Sequence, residues 1–435
     1  MKNHSSGKNQ VIENNRKHVS SGKVAFFERY GMDFVMGRRT GPYLYDIDGD
    51  KRLFNLHCNG GVFNHGHINQ DFKKTLHDTI DEVDIGNHHL LSRYRGELAA
   101  LLADLMPGDL NYTVFGVSGG ESVDLALKVA RAFTGNHGII SVRGGYHGHT
   151  GLALAAGDPK YRDPFGVQLS GFRQIPFMDF DAATEAIGSD TAAVILETVP
   201  ATLGMPVPTI DYMQGIRQVC DETGTLLILD EVQTGLGRTG KLWGFEHFDI
   251  LPDMVVLGKG LSGGLYPITA TVMREPLEEV FHPDPFIHIS TFGGAEIGCR
   301  VALEVLHKSS DSEFLAHVNA LAMHFRERVS HLQEKHESFL KGLRQLGLMM
   351  ALELRDEYAG PVLTKAAYDN DLLMIYANNN TSCVQFLPPL NLTIEEADTA
   401  LRMLDGALKR AGRLHKIYRA KAGIQHLWEK VTGKT

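Results

Sequence analysis

The chain of 435 residues is poor in cysteine and tryptophan, with four and two, and carries no excess of positive charge. The cysteines, Cys58, Cys220, Cys299 and Cys383, are scattered without a Cys-x-x-Cys pair. That spacing supports neither a zinc cage nor a disulfide framework and leaves four reduced thiols as the plain reading. Lysine and arginine total 43 against 52 aspartates and glutamates, a formal charge of -9 that argues against a nucleic-acid binder. Small anions stay open, because local cations decide their binding more than the net sum does. No apolar run approaches the roughly 18 residues that span a bilayer. The N-terminal MKNHSSGKNQVIENNRKHVSSGK lacks the apolar core of a signal peptide. Composition therefore predicts a cytoplasmic protein with no membrane or nucleic-acid partner.

Hydrophobic residues make up 43% and charged residues 22%, which rules out wholesale disorder. The first 22 or so residues are polar and read as a loose arm or an arm that drapes over a partner. YLYDIDGDKRLF (43–54) alternates around a DGD turn and reads as a hairpin. Beyond Phe72, short apolar runs alternate with helical patterns: YTVFGV (112–117), GIISV (138–142), AAVILE (192–197), LLILD (226–230) and MVVLGK (254–259). ESVDLALKVARAF (121–133) and DYMQGIRQVCDE (211–222) are two of the helical spacers. Such runs predict parallel strands buried on both faces of a layered α/β domain. From about Leu303 long polar helices take over, followed by the runs LMMALEL and CVQFL, as in a smaller α+β domain. The boundaries expected are 1–72 for the arm and part of the small domain, 73–302 for the large domain, and 303–435 for the C-terminal small domain.

The residues after each run carry the chemistry, because parallel sheets bind ligands beyond their carboxyl ends. LLIL ends in Asp230, MVVLG in Lys259 and AAVIL in Glu197. YTVFGV opens into Ser118-Gly119-Gly120 at a helix start, and GIISV leads to Gly144-Gly145-Tyr146-His147-Gly148. A lone charge after a strand is usually a solvated loop residue; three of complementary type, beside an anion cup and an aromatic, are harder to dismiss. A helix start suits a phosphate, although Ser118 also reads simply as an N-cap. A poorly hydrated lysine has a lowered pKa and becomes a Schiff-base amine. A buried carboxylate on the next strand needs a cation, which a pyridinium N–H supplies. Tyr146 is placed to stack on a flat ring. Together these describe a site for pyridoxal 5'-phosphate.

A dinucleotide loop is the main rival, since Gly258-Lys259-Gly260-Leu261-Ser262-Gly263 matches G-x-G-x-x-G after a strand. The following LYPITATVM reads as a strand, so the helix N-terminus that would hold a pyrophosphate is missing. The histidines at 65, 67, 88, 89, 147 and 149 lack the helical His-Glu spacing of a zinc site, and no metal is expected.

DEVQTGLGRTGKLWGFEHFDILPDMVVLGKGLSGGLYPI (230–268) resembles the signature of class III pyridoxal phosphate-dependent aminotransferases. FGVSGGESVDLALKVAR, GGYHGHT, VILETVPATLGMPVP, STFGGAEIGC and FLPPLNLT resemble further blocks in the same order, from about Tyr43 to Leu408. The resemblance implies fold type I, with a large, mostly parallel sheet domain, a small domain built from both termini, and active sites shared in a homodimer. It implies that Lys259 links covalently to the cofactor, Asp230 pairs with the ring nitrogen, and Gln233 approaches the phenolic oxygen. Ser118, Gly119 and Gly120 would cradle the phosphate, Tyr146 would stack on the ring flanked by His147, and Thr291 would reach the phosphate of the neighbouring subunit. Glu197 would sit near the substrate.

Two departures bear on activity. The family commonly has serine or threonine where this chain has Gly120, which removes one hydroxyl. It usually has an arginine where Gln385 stands in CVQFLPPL, and a neutral amide cannot clamp a carboxylate as arginine does. Arg93 or Arg95 could substitute from another loop. The ETVPATLGMP, STFGGAEIGC and VQFLPPL wording is similar to family members that act as ammonia-lyases on small amino alcohols bearing phosphate or phosphonate, 1-hydroxy-2-aminoethylphosphonate among them. The leading expectation is therefore a lyase releasing ammonia and an aldehyde, with Gln385 near the substrate. The alternative is a transaminase moving an amino group from an ω-amine or ω-amino acid to a keto acid.

Overall fold

The computed structural model describes residues 7–432; the first six residues of the expected arm lie outside it. The rest of that arm is not loose: Lys8–His18 and Ser21–Arg29 are helices. Neither buries a residue, so apolar periodicity gives no signal for them. Local chemistry holds them instead. The Ser20 hydroxyl accepts from the Lys23 N–H at 3.2 Å, Lys17 pairs with Glu13 one turn away, and Arg16 ties to Glu28 on the second helix. Lys8 anchors the first helix to Asp46 at 2.9 Å.

Strands β1 (Met36–Thr40), β2 (Tyr43–Asp46) and β3 (Arg52–Asn55) follow as an antiparallel meander, with the DGD turn joining the last two. The central sheet is built from β4 (Leu110–Gly116), β5 (Gly138–Val142), β6 (Phe172–Ile175), β7 (Thr191–Glu197), β8 (Leu226–Asp230), β9 (Met254–Leu257) and β10 (Thr269–Arg274). Its seven strands run in the order β4-β10-β9-β8-β7-β5-β6. All neighbours are parallel except β10, which is antiparallel to both β4 and β9. The sheet is thus mixed, because β10 follows β9 through residues 258–268, which hold the short 3-10 helix Lys259–Ser262 but no crossover α-helix.

Alternation along the middle strands feeds two cores. Leu227, Leu229, Val255 and Leu257 face one cluster, and Leu226, Ile228, Met254 and Val256 face the other. Burial of each such side chain contributes about 1.5–3 kcal/mol, so the register is strongly fixed. That register sets Glu197 opposite Asp230 and Asp230 opposite Val256, bringing the functional strand ends to one edge.

The later chain adds β11 (Leu340–Leu346), β12 (Met349–Leu354), β13 (Leu372–Leu373), β14 (Ile375–Ala377) and β15 (Asn380–Phe386). A four-stranded sheet runs β11-β12-β15-β14, while β13 pairs in parallel with β3 near the N-terminus. The helices Ser312–Lys335 and Ile394–Thr432 accompany them, the first capped by Asp311, which accepts from the Phe314 N–H at 2.9 Å. Among the described residues, no helix is long and apolar enough to cross a membrane.

Candidate active site

Each functional side chain is placed by the end of a strand. After β4, Ser118 caps the helix Gly119–Thr134, accepting from the Glu121 N–H at 3.3 Å. Glu121 turns back to accept from the Val117 N–H at 2.7 Å, so the turn is tied in both directions. Gly119 and Gly120 occupy the first helical positions, whose N–H groups have no partner inside the helix. Helix cap and anion cup are therefore compatible roles for one segment. The loop after β5 lies directly on this helix start: a Cβ on Gly148, where φ is +118°, would stand 2.6 Å from the Gly120 Cα. Only glycine permits that approach.

A cleft of about 400 Å³ opens at these strand ends. Its lining includes nine residues singled out in the sequence: Ser118, Gly119, Gly120, Tyr146, His147, Glu197, Asp230, Gln233 and Lys259. Asp230 is 6% exposed and accepts from the buried His147 Nδ1 at 2.8 Å and from the Val232 N–H at 3.1 Å. Burial pulls the His147 pKa down, but the hydrogen bond and charge of Asp230 outweigh it and leave the imidazole above its ordinary value. The hydrogen bond from His147 holds the Asp230 carboxylate in one orientation. Gly258 follows β9, and Lys259 comes next with φ at +43°, in the left-handed region unusual for a side-chain-bearing residue. Burial holds the Lys259 amine below its ordinary pKa, against the opposing pull of Asp230 and Glu197. An amine so placed is a better nucleophile at neutral pH.

Glu197 accepts from the backbone N–H groups of Tyr146 at 2.8 Å and Ala201 at 3.2 Å, which fixes the aromatic loop to the end of β7. Burial pushes its carboxyl up to about 7, with the neighbouring Asp230 adding to the rise. Tyr146 is 40% exposed and packs edge-on against His149, leaving its ring available at the cleft.

Two buried donors test what the cleft could hold. His147 Nε2 and Gln233 Nε2 have no hydrogen-bond partner, although both residues line the cleft. A flat ring carrying oxygen substituents would satisfy such groups. A phosphate would satisfy the free N–H groups at Gly119 and Gly120. With Lys259 and the buried Asp230 carboxyl beside them, the residues fit pyridoxal 5'-phosphate.

Two sequence-predicted residues lie apart from this lining. Thr291 sits on an exposed loop, and Gln385 is in β15, 8% exposed and paired with Ala351 of β12 and Ile375 of β14. Neither substitute arginine reaches the cleft within the chain. Arg93 pairs with Glu97 at 2.7 Å, and Arg95 donates to the Asn87 carbonyl at 2.7 Å. Conversely, the structure adds residues that sequence reasoning missed. Thr150 and Val232 line the cleft, and Gly60 lies so close that its Cβ would stand 3.1 Å from Lys259 Cε. The Asn-Gly-Gly run at 59–61 was the available signal for this close approach. A wider groove of about 1010 Å³ near Arg143 and Lys341 lacks Lys259, and Lys341 there is already paired with Glu353.

Comparison with known proteins agrees with this fold. The chain superposes on ornithine aminotransferase of Toxoplasma gondii with a TM-score of 0.84 at 25% identity, covering 92% of this chain and 94% of that one. Fold and site together define an α/β enzyme of the pyridoxal phosphate-dependent fold type I. The Aminotransferase class-III family pattern matches residues 27–408. The chain belongs to the class III aminotransferase family, and its cofactor is pyridoxal 5'-phosphate. It is 50% identical over 407 residues to an uncharacterized aminotransferase of Archaeoglobus fulgidus, covering 94% of this chain and 96% of the relative. It is 34% identical over 418 residues to putrescine aminotransferase of Pectobacterium atrosepticum, covering 92% and 89%.

Proposed function

We propose that the protein is a transaminase that takes the amino group of a small primary amine and passes it to a keto acid. One observation carries the substrate side of this reading. Lys259 is the only lysine or arginine among the described residues lining the cleft, and with it given to the cofactor no such cation there is left for a substrate carboxylate. Such a lining favours a cationic amine over an anionic amino acid. The likeness to a putrescine aminotransferase supports the same choice.

Bound pyridoxal phosphate supplies an electron sink for the substrate carbon that loses its proton. Lys259 would hold the cofactor covalently, and its free amine would be placed to move that proton as base and acid. Asp230 keeps the ring nitrogen protonated, with His147 fixing the carboxylate from behind. Gln233 donates to the phenolic oxygen, and Tyr146 covers one ring face. Ser118, Gly119 and Gly120 hold the phosphate, and Thr291 reaches the neighbouring subunit's phosphate in a homodimer. Glu197 orients the substrate side of the cleft. In this reading residues 73–302 form the cofactor-binding domain, and 1–72 with 303–435 form the smaller one, in a cytoplasmic enzyme.

Gln385 favours a second reading. Without an arginine at that position, no carboxylate clamp for a keto acid is evident among the described residues lining the cleft, as in an ammonia-lyase acting on a hydroxy-aminoalkyl phosphonate. Mixing holoenzyme with one equivalent of putrescine, in the absence of acceptor, decides between them. Transamination leaves the cofactor in its amino form until 2-oxoglutarate or another keto acid is added. Release of ammonia and an aldehyde from 1-hydroxy-2-aminoethylphosphonate without any keto acid would instead establish the lyase.

A further inference from the structure

The helix start at Gly119 and Gly120 offers backbone donors, but Gly120 contributes no side chain to it. The space beside Gly120 is nevertheless filled. A Cβ placed on Gly120 would lie 2.7 Å from Thr150 Oγ1 and 3.3 Å from Thr150 Cγ2, so the threonine occupies the position of a side chain at residue 120. The contact is enforced by Gly148, whose missing side chain lets the 144–150 loop settle on the Gly120 backbone.

Thr150 also has a hydroxyl to spare. It precedes the short helix Gly151–Ala155, where a threonine would ordinarily cap, yet its side chain makes no cap hydrogen bond. Asp124, one helical turn inside Gly119–Thr134, performs that task by accepting from the Ala153 N–H at 2.7 Å. Thr150 is exposed and lines the same cleft as Ser118, Gly119 and Lys259. A hydroxyl released from capping, open to the cleft and set against a helix N-terminus is a donor in search of an anion.

We propose that Thr150 is a phosphate-binding residue of the cofactor site, donating from the 144–150 loop in the place that a hydroxyl on residue 120 would hold. The proposal rests on seating the phosphate at the Ser118–Gly120 helix start. Binding then clamps the loop that carries Tyr146 and His147 onto that helix, coupling phosphate affinity to the position of the ring-facing residues.

Titration of apoenzyme with pyridoxal phosphate, followed by tryptophan fluorescence and by the rise in melting temperature, tests this without turnover. Thr150→Val, which keeps the shape and loses the hydroxyl, is expected to raise the Kd by roughly tenfold to a hundredfold. Thr150→Ser should stay within about threefold of the parent, because the donor is retained. The swap Gly120→Ser with Thr150→Ala removes the 2.7 Å conflict and returns a hydroxyl to the cup; it should bind more tightly than Thr150→Ala alone. An unchanged Kd for Thr150→Val, or a swap no tighter than Thr150→Ala, overturns the proposal. Ser118→Ala separates the two levels. If it weakens binding while Thr150→Val does not, only the role of Thr150 fails. If neither weakens it, the placement of the phosphate fails as well.

Discussion

Replacing Glu231 with glutamine should remove a pH-dependent stability component of about 3 kcal/mol. Glu231 follows Asp230 and is 2% exposed. It accepts from the Thr198 hydroxyl, and from the Gly244 N–H at 2.7 Å, and no cation is among the causes that set its pKa. Burial raises that pKa from 4.5 to about 7, with the hydrogen bonds opposing the rise. A displacement of this size corresponds to about 3 kcal/mol between the two protonation states. The sign follows from linkage: the folded carboxyl holds its proton more tightly than the unfolded one. Its contribution is therefore fully present below pH 4.5 and lost as the pH rises through about 7. Glutamine fits the site, since its carbonyl can accept from Gly244 while its amide donates to the Thr198 oxygen. Urea unfolding of both apoenzymes at pH 5, 6, 7 and 8 measures the difference in stability. The glutamine variant should gain on the parent across that range by about 2–3 kcal/mol, with most of the change below pH 7.5. A difference constant to within about 0.5 kcal/mol would refute the reasoning, whatever its absolute size.

Three further outcomes concern the cleft. Lys259→Ala should abolish the long-wavelength absorbance that marks covalent attachment of the cofactor; a surviving band would remove Lys259 from its central role. Asp230→Asn should leave cofactor affinity within about tenfold but lower turnover by roughly a hundredfold or more. In the same variant the His147 titration, held above 6.5 in the parent, should fall once its partner loses charge, and NMR of the imidazole protons reads this directly. Gly60→Ala places a methyl 3.1 Å from Lys259 Cε at a φ of +68°. It should reduce kcat by roughly tenfold, and an unchanged kcat would show that the 58–61 turn does not position the lysine.

The parts of the fold that could be read in advance were those buried on two sides. GIISV and LLILD became β5 and β8 with the same boundaries, because nothing but a covered strand tolerates such runs. The strands that escaped notice lie at sheet edges or carry charge: Phe172–Ile175 at the edge of the central sheet, and Leu340–Leu346, whose residues are mostly only partly buried. The helices of the supposed arm escaped for a related reason, being held by ion pairs and a cap rather than by an apolar face. At the site, single residues after strands were conspicuous because polar chemistry interrupts apolar runs there. Thr150 was not, since its significance depends on a glycine thirty positions earlier that only the folded chain brings beside it. The His147–Asp230 hydrogen bond, spanning 83 residues, is illegible for the same reason.

The backbone at Lys259 has a consequence for how the protein and its chemistry are matched. A lysine at φ +43° sits where any Cβ is crowded by the neighbouring carbonyl, and only glycine is relieved of that crowding. The same position therefore prefers one residue for folding and requires another for reaction. Lys259→Gly should melt higher than Lys259→Ala by the equivalent of about 1 kcal/mol, since alanine retains the crowded Cβ and glycine does not. The site is then a place where the chain is held against its local preference by the walls around it, and the amine emerges already aimed.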